Sequence, residues 1–477
     1  MMKGRESGPM TPSVGAPRPY FATPAPPTAA RRMLLISYFF TPINVIGAIR
    51  WHRMTQFAAE RGWVVDVVMV DPARGATVDA ASAAATDLDK LEDLPPGIAL
   101  YHVPDQHSWW SSAQRSAWRA VRPLLRRNGS QPAAASLLTA ARDSRPRSRL
   151  RAAYLSRMHY RDFSQWAAAA ARAGSQLAAV RRPDVIISSG PPHSAHEAAR
   201  RIARSTGIPW VMDMRDPWAA QENVPPDLAG RTWARLTASA EEKCVRAARL
   251  VVLNTEASRR EIAARYPDLV ARFLTVMNGA DPIAMPEQIA PSQRFTIAYA
   301  GNIYVGRDPA TLFRALARVV KDLSLSPDRI GIEFMGGSEL ARSTVLAAAA
   351  KAAIPEFVTV IPRQPHREAL AFLARATMLV GLPQYAHLAI PAKVFEYVQF
   401  AAWLLILADE GSATEVLFRE TGADVVSPSD VDVITERLKQ RYGQFCRGDR
   451  PVPLNADGVF DRSRQASILF DAIQRIL

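Results

Sequence analysis

Only two cysteines, Cys244 and Cys446, occur among 477 residues. That is too few for a disulfide framework, and without a C-x-x-C pair or a His/Cys cluster a structural metal site is not expected. Long apolar runs are missing as well. A membrane-spanning helix takes about 18 or more consecutive apolar residues, and the nearest approach is the short stretch 401–408. Residues 1–30 lack the apolar core of a secretory signal. They are rich in Pro, Gly, Ser and Thr and read as a disordered leader. Neither a G-x-S-x-G elbow nor an H-E-x-x-H pair occurs, which argues against hydrolase and metalloprotease chemistry. A cytoplasmic protein in a reducing compartment is the expectation.

What the chain does have is material for large cores, with 48% hydrophobic and 8% aromatic residues, and a length that suits two or three domains. It is also basic, with a formal charge of +14, which points to an anionic partner: nucleic acid, a membrane surface or a phosphorylated substrate. Much of the excess lies in 105–182, where Arg115, Arg119, Arg122, Arg126, Arg127, Arg142, Arg145, Arg147, Arg149 and Arg151 face only Asp105, Asp143 and Asp162. That stretch also holds Trp109, Trp110, Trp118, Tyr154, Tyr160 and Trp166. Arginines with interfacial aromatics suit an anionic membrane surface; a solvated helical hairpin with packed tryptophans is the other reading. No nucleic-acid module accompanies the charge, so nucleic acid is not an expected partner.

From residue 33 onward apolar runs, Gly or Pro turns and amphipathic segments of helical length alternate, the pattern of βαβ units on a parallel sheet. Candidate strands fall at 33–39, 63–70, 98–103, 184–189, 209–214, 250–254 and 273–277. After a Pro-bearing stretch at 281–291 a second series follows at 295–300, 331–335, 357–361, 378–382, 404–408 and 424–426. The predicted architecture is α/β: two facing, doubly wound Rossmann-like domains, over 31–285 and 292–455, with a basic helical insertion at about 105–182 of the first. A final amphipathic helix within 456–477 should pack back across the junction. Sheets of this kind bind ligands beyond the carboxyl ends of their strands, so the cleft between the domains is the expected site.

Within 388–400, LAIPAKVFEYVQF, Pro391 suits a first helical turn, which puts Lys393 and Glu396 three apart on one face. A lysine at a helix start opposes the helix dipole, unless an anion such as a diphosphate sits between it and the free N–H groups. Glu396 is then placed to accept hydrogen bonds from ribose hydroxyls. An exposed i,i+3 ion pair is the plainer alternative. In the second series, strand 295–300 runs into Gly301 and Asn302, then Gly306-Arg307-Asp308. The spacing imitates a phosphate-binding loop, but the Lys and Ser/Thr that loop requires are absent; a glycine turn with Arg307 in reach of a phosphate is left. Gly47, in YFFTPINVIGAIR, lets backbone approach a ligand closely. MDMRDPW at 212–218 sets Asp213 and Arg215 just past a strand, as substrate-site candidates or as a structural ion pair. His193 and His196 start a helix after Pro191-Pro192 and read first as structural.

Taken in order, TPINVIG, the block SSGPPHSAHEAARRIARSTGIPWVMDMRDPW, NGAD at 278–281, AYAGN at 298–302, and PAKVFEYVQF followed by GSATEVL resemble the GT4-type retaining glycosyltransferases of GT-B fold. The likeness spans roughly 33–426 and points to members that build surface polysaccharides. It implies transfer of a sugar from a nucleotide-sugar donor to a lipid-linked or oligosaccharide acceptor, with retention of configuration. It further implies that Glu396 holds the donor ribose, that Lys393 and Arg307 hold the diphosphate, that Gly301 and Asn302 line the donor loop, that Gly47 approaches from the first domain, and that backbone near Arg363 meets the base. Arg215, Asp213 and Lys393 are the catalytic candidates. The chain departs from the pattern twice. Leu388 stands where the family's first acid belongs, and Arg215 stands where many relatives have histidine. The resemblance implies neither cofactor nor metal, because basic side chains can neutralise the leaving diphosphate, and it suits a peripheral place on the inner face of a membrane. An inactive GT-B scaffold and a nucleotide-sugar epimerase are the alternatives.

Overall fold

The computed structural model of the protein describes residues 17–27, 31–43, 45–72, 86–105, 146–220, 230–283, 292–301, 308–384 and 386–477. Two mainly parallel sheets carry it. The first comprises β1 (Phe21–Ala22), β2 (Arg31–Ser37), β3 (Trp63–Val70), β4 (Ile98–Val103), β5 (Val185–Gly190), β6 (Trp210–Met214), β7 (Leu250–Leu253) and β8 (Phe273–Thr275). Its order is β1-β4-β3-β2-β5-β6-β7-β8, with β1 alone antiparallel. Strands such as β3, WVVDVVMV, are buried at every position, because helices cover both faces; that is why their sequences are runs rather than alternations.

The second sheet comprises β9 (Phe295–Ala300), β10 (Ile330–Met335), β11 (Val358–Ile361), β12 (Met378–Gly381), β13 (Trp403–Leu407) and β14 (Asp424–Val426), all parallel, in the order β11-β10-β9-β12-β13-β14. The order reverses between β2 and β5 in the first sheet and between β9 and β12 in the second. Crossovers leave to opposite sides at such points, which opens a crevice beyond the strand ends.

Covering the first sheet are α1 (Ile46–Glu60), α2 (Pro146–Arg181), α3 (Ser194–Thr206), α4 (Arg231–Ala247) and α5 (Glu256–Arg265); with the second go α6 (Ala310–Asp322), α7 (Glu339–Lys351), α8 (His366–Ala374), α9 (Ala392–Tyr397), α10 (Ala413–Phe418) and α11 (Val431–Cys446). The last helix, α12 (Arg462–Ile476), returns to the first sheet. Its Leu469, Phe470 and Ile473 share a core with Met33, Trp51 and Trp63. Among the described residues no helix is long and apolar enough to cross a membrane.

Two expectations need correction. Part of the leader is ordered: Phe21–Ala22 pairs with β4, and Tyr20 stacks on His102 at 4.0 Å. The stretch expected as an insertion contains the crossover from β4 to β5. α2, 36 residues long, buries Trp166, Ala167, Ala170 and Leu177 in the sheet's core, so Trp166 is a packing residue and not an interfacial one. Its alanine-rich, arginine-flanked sequence hides an inward stripe that periodicity alone under-reads. Trp109, Trp110, Trp118 and the arginines from 115 to 145 lie outside the described residues.

Candidate functional site

At the switch point of the second sheet, β9 ends in Ala300, and Gly301 follows it. Gly301 has φ 121°, a backbone conformation open to glycine and strained for side chains, and its N–H donates to the Met335 carbonyl at 2.8 Å. Gly336, at the end of β10, lies against it: a β-carbon there would meet the Gly301 backbone at 3.5 Å. Backbone is therefore bare at the ends of two adjacent strands. Onto this surface comes Lys393. Its ammonium donates to the Tyr299 hydroxyl at 2.7 Å and to the Ala300 carbonyl at 3.1 Å, and a β-carbon on Gly301 would lie 2.6 Å from Nζ. Beside it Tyr397 is buried and clamps β9 through its hydroxyl, accepting from the Ala300 N–H at 2.9 Å and donating to the Ala300 carbonyl at 3.1 Å.

The helix bearing Lys393 has six residues, with Pro391 as its N-cap. So short a helix has few aligned dipoles to sum, and the cation itself is the main source of positive potential. Glu396, one turn on, is held above the usual carboxylate range by burial, against the opposing pull of His366, Lys393 and Arg462. Arg363 is exposed just past β11. Asn302 and Arg307 lie outside the described residues; the chain beyond them is anchored where Asp308 N–H donates to Gln384 Oε1 at 2.9 Å and Gln384 Nε2 donates back to the Asp308 carbonyl at 2.9 Å.

In the first sheet the RDPW segment is a junction. Asp213, 1% exposed, accepts from Arg50 Nε at 3.2 Å and Nη2 at 3.1 Å, from Trp51 Nε1 at 2.7 Å and from Ser189 Oγ at 3.0 Å. Three of these donors meet Oδ2 and one meets Oδ1, so Asp213, expected among the catalytic candidates, ties α1 to the sheet. Arg50 continues the tie, donating to the carbonyls of Val276 and Met277. Arg215 turns to α1. Its guanidinium Nη1 lies 2.9 Å from the position of a β-carbon on Gly47, and its Nη2 donates to the Pro191 carbonyl. The room that Gly47 provides is thus taken by Arg215, not left open for a ligand.

His193 and His196 are buried beside this junction. His193 stacks on Trp218, 4.8 Å between centroids, and His196 Nδ1 is 2.8 Å from Ser188 Oγ. Burial lowers the pKa of both, that of His196 to about 3, with the nearby Arg215 adding to the effect. Both are neutral near pH 7. Leu388, where an acid was sought, shares a small cavity wall with Met214, Pro217 and Trp218 of the first domain. Its carbonyl accepts from Thr255 Oγ1 at 2.6 Å and Ser258 Oγ at 2.9 Å. The loop leading to Lys393 is therefore latched to the start of α5 across the cleft.

Lys393 and Gly301, both donor-site candidates from the sequence, lie side by side; Tyr299, Tyr397, Gly336 and the Thr255/Ser258 latch were not among the candidates. A Gly-Gly pair directly after an apolar run was the available signal for Gly336; the tyrosines read only as core.

No protein-family model matches the chain, and no curated protein matches it. Solved structures do. The sucrose-phosphate synthase of Thermosynechococcus elongatus is 13% identical at TM-score 0.59, covering 94% of this chain and 99% of its own. HepE of Anabaena, in complex with UDP-glucose, is 10% identical at TM-score 0.57, covering 94% and 100%. A UDP-forming α,α-trehalose-phosphate synthase of Burkholderia xenovorans is 13% identical at TM-score 0.57, covering 94% and 99%. At these identities the likeness establishes the fold, the two-domain GT-B arrangement.

Proposed function

We propose that the protein is a glycosyltransferase that binds a nucleotide-sugar in the cleft and transfers the sugar, with retention, to a lipid-linked or oligosaccharide acceptor of a surface polysaccharide. The observation that carries this reading is the corner formed by Lys393 and Gly301, a cation held over bare backbone at a topological switch point. Such a corner suits a diphosphate, which needs charge and close approach together. HepE's complex with UDP-glucose supports a nucleotide-sugar as the donor.

In the proposed reaction the anomeric C–O bond to the diphosphate breaks, the acceptor hydroxyl oxygen bonds to the anomeric carbon and gives its proton to the departing diphosphate, and negative charge grows on the phosphate oxygens. Lys393, joined by Arg307, stabilises that charge where it develops, the largest single contribution available to such a site. No metal is required for this role. Glu396 accepts hydrogen bonds from the donor ribose, and backbone near Arg363 meets the base. Arg215 adds a fixed positive charge to the first domain's side of the cleft. Retention, the acceptor class and a peripheral place at the inner membrane face rest on the sequence resemblance.

Leu388 motivates a second reading, a scaffold that binds the donor without transferring it, because it stands in place of an acid and packs into the first domain. One assay separates the two. UDP-, GDP- and ADP-sugars are incubated with the protein and a membrane lipid extract, and nucleoside diphosphate release and labelled lipid product are measured. Transfer by the wild type and its loss in Lys393→Ala support the enzyme. Binding without transfer identifies the scaffold, and undiminished transfer by Lys393→Ala removes the site assignment.

A further inference from the structure

The edge of the first sheet where its strands begin, opposite the cleft edge, has a groove of about 430 Å³. Among the described residues four arginines line it: Arg200 and Arg204 from α3, Arg249 just before β7, and Arg272 just before β8. Trp210, at the start of β6, and Gly207, the left-handed C-cap of α3, complete the wall. Among the described residues none that lines it is acidic.

Two of these arginines have structural duties. Arg200 pairs with Glu197 at 3.2 Å, and Arg272 donates to the carbonyls of Arg246 and Ala248 at 3.2 Å each. Arg204 and Arg249 are exposed and take part in no ion pair among the described residues. Arginines at helix ends have an ordinary explanation, since a helix C-terminus carries roughly half a negative charge. The amounts decide against that explanation being sufficient. The ends of α3 and α4 contribute about one negative charge between them and Glu197 one more, against four guanidinium groups. About two positive charges are left over, gathered in a concavity large enough for a small ligand, for which about 300 Å³ suffices.

We propose that this groove is a second anion site, one that binds a phosphate group through the N–H forks of Arg204 and Arg249. The phosphate is that of an anionic lipid headgroup or of a free phosphate compound; both present the same oxygens to the arginines. The site lies on the edge away from Lys393, so its ligand and the nucleotide-sugar do not compete, and it is independent of the reading given to the cleft.

The test uses the full-length protein, an Arg204→Ala/Arg249→Ala variant, and an Arg181→Ala/Arg182→Ala control that removes two charges from the same edge but outside the groove. Sedimentation with phosphatidylcholine vesicles, with and without phosphatidic acid, is one arm; calorimetric titration with inorganic phosphate is the other. Wild type and control should bind a phosphate probe, and the groove variant should bind about tenfold more weakly or worse, with any donor turnover unchanged. Binding to the acidic vesicles identifies the lipid source, and binding to inorganic phosphate alone identifies the free compound. Failure of wild type to bind either probe, or an equal loss in groove variant and control, overturns the proposal.

Discussion

Lys393 Nζ occupies the volume that a side chain on Gly301 would need, 2.6 Å from the position of the missing β-carbon. Gly301→Ala therefore meets two obstacles: a φ of 121° that costs about 1–3 kcal/mol for a residue with a side chain, and the ammonium itself. The lysine is the more movable of the two, so it swings away from β9. Donor binding should fall by more than the melting temperature alone accounts for. Titration calorimetry together with melts checks this, and a variant that loses stability while keeping full donor affinity would show the corner to be purely structural.

Asp213→Asn should behave in the opposite way. The Arg50–Asp213 pair is buried on both sides, and removing one member of such a pair costs about 3–5 kcal/mol. Denaturant unfolding should register that loss, and whatever folded protein remains should bind the donor normally. Full stability with abolished turnover would return Asp213 to the reacting groups.

The contrast shows what the sequence could and could not reveal. The strands were legible because parallel sheets buried on both faces leave apolar runs, and four of them, 63–70, 98–103, 295–300 and 424–426, coincide with β3, β4, β9 and β14. α2 was misread because its inward stripe is largely alanine, which pattern reading weighs lightly. Asp213 and Arg215 stood out as unusual charges. Their partners, however, Arg50 163 positions from Asp213 and Gly47 at the start of α1, are set by tertiary packing, which spacing cannot express. Leu388 was legible as a departure, while its latch to Thr255 across the cleft was not.

Glu396→Gln separates ligand contact from ion pairing. Burial raises the carboxyl pKa, so its ionised form is disfavoured in the folded state; the associated stability is present at low pH and is lost as pH rises through the folded-state pKa. A neutral glutamine of the same shape should leave the melting temperature at pH 7 unchanged or higher, while donor affinity falls. A lower melting temperature with unchanged affinity would make Glu396 a structural partner of Lys393 and Arg462.

Acid sensitivity follows from the buried histidines. His196 and His52 have pKa values lowered by burial to about 3 and about 4, against about 6.5 in the unfolded chain. Between these values the unfolded state binds protons that the folded state refuses, so each residue's stability is complete above about pH 6.5 and declines below it by up to about 1.4 kcal/mol per pH unit. His196→Asn should flatten the decline in unfolding free energy between pH 6.5 and 5 relative to wild type. Parallel curves for the two proteins would contradict the assignment.

The central claim is that Lys393 at the Gly301 turn holds the diphosphate of a nucleotide-sugar, and calorimetric titration of UDP, GDP and ADP into wild type and Lys393→Ala tests it most directly. At least one of the three should bind wild type and bind the folded variant about tenfold more weakly or worse. Equal affinity in the two proteins, or no binding of any of the three to wild type, would contradict it.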